Sequence, residues 1–119
     1  MPHIVIEYTA NLGAQARIPE LLKTVNQTMI AQDGVFPIGG IRSRALRLDD
    51  YRMADGAADD AFVHVTLKIG SGRSEAVKKQ ICDALFHAVK AHFAEPHEKP
   101  YLALALESVY FSDTRSTHD

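Results

Sequence analysis

Hydrophobic positions along the chain alternate between two spacings, and the switches mark its elements. Ile4, Ile6 and Tyr8 alternate with His3, Val5 and Glu7, the two-residue period of a strand with one face turned inward. Asn11, Gly13 and the small residues after them break that run. Ile18, Leu21, Leu22, Val25 and Met29 then recur in steps that line one side of a helix. Pro19 fits only in the first turn, because a proline further in removes a backbone donor and clashes with the turn before it. The helix is therefore expected to start beside Pro19 and to end at Asp33-Gly34. Phe36-Pro37 followed by Gly39-Gly40 makes a stiff and then flexible connection. Ile41 to Leu48 reads as a second strand, unusually charged because it holds Arg42, Arg44 and Arg47. The polar stretch from Asp49 to Asp60 reads as a loop or hairpin.

The cycle then restarts. Val63, Val65, Leu67 and Ile69 alternate with Phe62, His64, Thr66 and Lys68 over a strand from Ala61 to Ile69. Gly70-Ser71-Gly72-Arg73-Ser74 is a tight connection, with the Ser74 hydroxyl placed to cap a helix. Val77, Ile81, Leu85 and Val89 form that helix's apolar stripe, widened by Cys82 and Phe86. Pro96 and Pro100 bracket its exit, and Leu102, Leu104 and Leu106 mark a fourth strand from Tyr101 to Ser108. Val109 to Phe111 are positioned to extend it, and a polar tail begins at Ser112. A shift of 60 residues lays Leu21, Val25 and Met29 on Ile81, Leu85 and Val89, Val5 on Val65, and Ile41 on Tyr101. The repeat is one of pattern rather than of letters. It predicts two β-α-β halves, about residues 1–58 and 59–119, in a single α+β two-layer domain. Its four-stranded mixed sheet would carry both helices on one face. The opposite face, read as an apolar alternation, is expected to be covered by another subunit.

Composition narrows the classes. The 119 residues are 46% hydrophobic and 24% charged, the balance of a globular domain. A formal net charge of -2 argues against a nucleic-acid partner. No apolar run is long enough to cross a bilayer, and the Met1-Pro2-His3 start lacks the basic and then apolar opening of a signal peptide. The single cysteine, Cys82, cannot form an internal disulfide. A cytoplasmic protein with no membrane partner is expected, and at this length oligomerisation is a natural source of added stability.

Few residues point to chemistry. By position alone, a proline after the initiator methionine is a start that permits methionine removal. The sharper reading of Pro2 is that removal exposes a secondary amine at the head of a strand. Apolar burial and nearby cations disfavour the charged form of such an amine, and a neutral amine can abstract a proton and return it elsewhere. Arg42 and Arg44 share a strand face, Arg47 takes the other, and Arg73 sits in the turn before the second helix. Guanidinium groups grip carboxylates bidentately and stay charged, although an arginine on a strand also serves simply as a solvated charge. Arg42 and Arg44 fall in a segment expected to be half-buried. Gly70-Ser71-Gly72 lacks the ending of a phosphate loop and reads as a turn. The six histidines show no metal-ligand spacing, so no metal is expected. His3 and His64 alternate into strands, where they line a site or serve structure. Cys82 on the apolar stripe reads as a buried, inert thiol, and the acidic residues from Asp49 to Asp60 read as a solvated loop.

Taken together, the Met-Pro-His start, the run Val35-Phe36-Pro37-Ile38-Gly39-Gly40-Ile41-Arg42-Ser43-Arg44, Met53-Ala54-Asp55-Gly56, and the run Ala61 to Ser74 closely resemble the 5-carboxymethyl-2-hydroxymuconate isomerase family of the tautomerase superfamily. The Gly72-Arg73-Ser74 turn is also similar to one in 4-oxalocrotonate tautomerase, whereas the first half has Leu12-Gly13-Ala14-Gln15 in the comparable region. The resemblance covers nearly the whole chain. It implies a homotrimer, no cofactor, and a small polycarboxylate substrate from homoprotocatechuate degradation, a dienol isomerised to its conjugated oxo form. It implies that Pro2 is the catalytic acid and base once Met1 is gone, and that Arg73 and Arg42 hold carboxylates and stabilise developing charge, with Arg44 as a further binding residue. His3, Phe36 and Lys68 are expected to line the pocket. Two other functions fit the same residues: a proline-based tautomerase acting on phenylpyruvate-like enols, and a non-catalytic trimeric binding protein of the same fold.

Overall fold

The computed structural model describes residues 1–32, 34–94 and 98–111. Strand β1 (His3–Thr9) leads through a 3-10 segment (Ala10–Ala16) into helix α1 (Ile18–Ile30). A short 3-10 turn (Ile38–Gly40) precedes strand β2 (Arg42–Leu48). Strand β3 (Ala61–Gly70), helix α2 (Glu75–His92) and strand β4 (Leu102–Phe111) complete the chain. The sheet order is β2-β1-β3-β4. The outer pairs β1/β2 and β3/β4 are parallel, and the central pair β1/β3 is antiparallel. This is the four-stranded mixed sheet with helices on one face that the pattern predicts.

Local chemistry explains where the elements start and stop. Pro19 lies in the first turn of α1, and Arg17 before it takes a left-handed conformation (φ 46°). The Ser74 hydroxyl accepts from the Val77 N–H at 3.2 Å and caps α2. The helix α1 stops at Ile30, ahead of the expected Asp33-Gly34 stop. Asp33, Pro96 and the tail from Ser112 lie outside the described residues. β4 does run on to Phe111. No strand forms among the described residues 49–60: the segment turns on itself, with the Gly56 N–H bonded to the Met53 carbonyl at 2.9 Å.

The core lies between sheet and helices. Leu21, Val25 and Met29 of α1 meet Ile81, Leu85 and Val89 of α2, and all six are at most 1% exposed. Ile4, Ile6, Val63, Val65, Leu67 and Ile69 supply the sheet side. Each such side chain removed from water contributes roughly 1.5–3 kcal/mol. The 60-residue shift therefore holds for the helices. On the strands it brings β2 (from Arg42) onto β4 (from Leu102), but it lays Val5 on a residue of the opposite face: Val65 shares the core face with its cross-strand partner Ile6, and Val5 shares the other face with Thr66. A two-residue period turns a one-residue error into the wrong face.

Among the described residues no helix packs on the sheet's other face, and that face is not the apolar surface the alternation suggested. Its register rows read Arg42–His3–Lys68–Val109, Arg44–Val5–Thr66–Glu107 and Leu46–Glu7–His64–Ala105. Charges are thus interleaved with Val5, Leu46, Val109 and the alanines. His64 sits between two carboxylates, with Nδ1 3.6 Å from Glu7 and Nε2 3.3 Å from Glu107. β2 is an edge strand, so Arg42 and Arg44 are exposed rather than half-buried.

Candidate active site

The chain start is anchored at the end of β1. Pro2 is buried, and its carbonyl accepts from the Arg42 N–H at 3.0 Å. Met1 lies across Gly40, where an added Cβ would come within 3.6 Å of the Met1 Cγ and 3.5 Å of the Pro37 Cγ. The Arg42 guanidinium turns back to the same corner. Its Nη1 donates to the Gly40 carbonyl at 3.2 Å and to the Met1 Sδ at 3.1 Å.

Arg73 reaches this region from the turn after β3. Its Nη1 donates to the Gly70 carbonyl at 3.3 Å, and its guanidinium carbon lies 4.6 Å from the centre of the Phe36 ring. Phe36 is followed directly by Pro37, which packs beside Met1 over Gly40. Contacts therefore run without a break from Arg73 through the 36–40 segment to Met1 and Arg42.

A third set of charges surrounds His3. The Arg44 Nη1 lies 3.0 Å from the His3 Nδ1, and Lys68 is the cross-strand partner of His3 on β3. Burial, and then Arg44, Arg42, the chain's N-terminus and Lys68, hold the His3 imidazole below its ordinary pKa of 6.5. A neutral ring accepts the Arg44 N–H on Nδ1, which assigns the ring proton to Nε2. Because the folded value lies below the unfolded one, the unfolded chain takes up the proton first as pH falls. This contribution to stability is therefore fully present above 6.5 and is lost as pH drops from 6.5 through the lower folded value. Urea midpoints at pH 7.5 and 5.5 test this: the native chain should lose more stability between them than His3→Gln. Equal losses would reject it.

Pro2, His3, Arg42, Arg44 and Lys68 thus gather at one end of the sheet, with Arg73 and Phe36 alongside. Phe36 lies in the core, 4% exposed, with the Arg73 guanidinium over its ring. Pro37 and Gly40 adjoin the chain start, and no spacing in the sequence points to them beyond Gly40, the buried second glycine of a step expected to be a flexible joint. Cys82 is half-buried against the core rather than fully enclosed.

Other features of the surface carry less chemistry. A cleft of about 320 Å³ at the other end of β3, lined by Asp49, Tyr51, Arg52, Asp59 and Asp60, contains none of these candidates. Among the described residues, no three His, Cys, Asp or Glu side chains are grouped to hold a metal ion. No helix there is long and apolar enough to cross a membrane.

Comparison with known proteins gives the chemistry a context. The family model for 5-carboxymethyl-2-hydroxymuconate isomerase matches residues 2–119. The chain is 46% identical over 107 residues to the 5-carboxymethyl-2-hydroxymuconate Delta-isomerase of Escherichia coli, covering 90% of this chain and 84% of that protein. The crystal structure of a 5-carboxymethyl-2-hydroxymuconate isomerase from Deinococcus radiodurans R1 superposes with a TM-score of 0.87 at 49% identity, covering 93% of this chain and 83% of that one. A wild-type fused 4-OT, described as a symmetric trimer, shares the fold at a TM-score of 0.60 and 19% identity, covering 97% and 91% of the two chains.

Proposed function

From the premise that the chain belongs to the 5-carboxymethyl-2-hydroxymuconate isomerase family and is an isomerase, we propose that it converts the dienol 5-carboxymethyl-2-hydroxymuconate to its conjugated oxo isomer, in homoprotocatechuate degradation, with Pro2 as acid and base. Removal of Met1 frees the Pro2 nitrogen as a secondary amine and releases the Arg42 N–H that now meets the Met1 sulfur. The amine takes the proton of the substrate's 2-hydroxyl. Charge moves through the diene, and the protonated proline returns a proton to carbon at its far end. No atom is gained or lost. Cations close to the amine disfavour its charged form and keep a fraction of it free to act.

Arg73 and Arg42 hold carboxylates at opposite ends of the substrate, and they offset the negative charge that builds toward the 2-oxo group. Arg44 and Lys68, around the neutral His3, extend the positive field. One base serving two substrate atoms needs a fixed pose, which the two anchors supply. The observation that carries this reading is the corner where the chain start, Arg42 and the Arg73–Phe36 pair adjoin.

The working unit in this proposal is a homotrimer. The sheet face on which no described helix packs supports it, as does the symmetric trimer of the fused 4-OT that shares the fold. A substrate panel tests the assignment. The tricarboxylate dienol should exceed the enol of phenylpyruvate by at least about 100-fold in kcat/KM, since the second anchor finds a partner only in the former. Parity, or a preference for phenylpyruvate, would move the chain to the other tautomerase reading.

A further inference from the structure

The arginines of this chain divide by what holds them. Arg17 pairs with Glu20 at 3.5 Å and Arg47 with Asp49 at 3.1 Å. Among the described residues, Arg42, Arg44, Arg52 and Arg73 have no carboxylate within ion-pair distance, and Arg52 is held instead by the Asp55 carbonyl at 2.7 Å. A carboxylate from the protein would fix a guanidinium but would also neutralise it and compete with an anionic ligand. An aromatic face fixes the same cation while leaving its charge and its outward N–H fork free.

Arg73 is placed in that second way. Apart from one long bond to the Gly70 carbonyl, its described partner is the face of Phe36 at 4.6 Å. Phe36 is itself well fixed. It is 4% exposed within the core, and Pro37 and the Ile38–Gly40 turn follow it directly. We propose that Phe36 is a positioning residue for the isomerisation: its ring holds the Arg73 guanidinium aimed at a substrate carboxylate without neutralising it. This inference rests on the reading of Arg73 as a carboxylate anchor. The ring need not touch the substrate, and its position on the connection between α1 and β2 ties the anchor to the segment that packs against the chain start.

The test keeps the shape of the ring and changes its charge distribution. Phe36 is replaced site-specifically by mono-, tri- and pentafluorophenylalanine, which progressively reverse the negative face that attracts a cation. The expected result is a graded fall in kcat/KM toward 5-carboxymethyl-2-hydroxymuconate, reaching about 5- to 30-fold for the fully fluorinated ring, with the melting temperature nearly constant. Phe36→Leu should give a similar loss and Phe36→Tyr should restore most of it.

In an Arg73→Ala background the same ring replacements should have no further effect. Unchanged kinetics across the fluorinated series, while Arg73→Ala itself is impaired, would overturn the inference and leave the function intact. Equal losses with and without Arg73 would also overturn it, because the ring would then act by packing alone. An Arg73→Ala enzyme with native kinetics would instead remove the functional reading beneath it.

Discussion

A chain with an acetyl group on the Pro2 nitrogen, or one that retains Met1, is expected to lose about 10²- to 10⁴-fold in kcat, the range for one general acid–base group, while melting at the temperature of the processed protein. Both changes turn the proline nitrogen into an amide whose lone pair is delocalised and unavailable as a base. The loss should fall toward the upper end, because the same nitrogen is proposed to remove one proton and deliver another. Neither change disturbs the core, since Met1 is half-exposed and contributes nothing to the helix–sheet packing.

The two blocked forms should nonetheless differ. Retained Met1 also engages Arg42 through its sulfur and covers Gly40, so it should weaken substrate binding in addition to removing the base. Intact mass and steady-state kinetics on the same preparation make the comparison. A homogeneous Met1-retaining chain with full kcat would end the proline mechanism.

The second large effect is expected at Arg73. Arg73→Ala should lower kcat/KM by about 2–5 kcal/mol, or about 30- to several-thousand-fold, which is the usual loss when one member of a close charge pair is removed and the other is left unpaired. Arg73→Lys should recover only part of this, since an ammonium supplies charge but not a planar fork. Arg17→Ala is the informative control. Arg17 is also an arginine in a strand-to-helix connection, but it is paired with Glu20 and bonded to the His92 carbonyl. It should leave kcat/KM within about 2-fold, the scatter of surface substitutions remote from a site. Equal effects at Arg17 and Arg73 would indicate a field acting at a distance rather than a specific anchor.

How much of this was legible in the residues depended on which physical rule wrote them. The helices and β3 were plain, because a buried stripe at Leu21, Val25 and Met29, or an alternation such as Val63 to Ile69, states its own geometry. The 3-10 segment Ala10–Ala16 was not, since Leu12 and Ala16 are buried at a spacing too short to show a period. β2 was found as a strand, but its exposure was misjudged. Whether a strand lies at an edge is fixed by the sheet order and not by its own letters. The same applies to the open face, where only the cross-strand register reveals Glu7, His64 and Glu107 as neighbours.

Among the candidate site residues, Pro2, Arg42 and Arg73 stand out in the sequence as residue types. The partnership of Arg73 with Phe36 does not, because 37 positions separate them and no local pattern links a turn arginine to a phenylalanine in another connection.

The antiparallel joint between β1 and β3 has a lasting consequence. It sets the beginning of one strand beside the finish of the other, so Pro2 and Arg42 come from the front of the chain while Lys68 and Arg73 come from the rear. The repeated pattern is therefore not a pair of spares. A lesion in either segment strikes the same spot, and a fragment bearing only one of them would be mute until complemented by its counterpart.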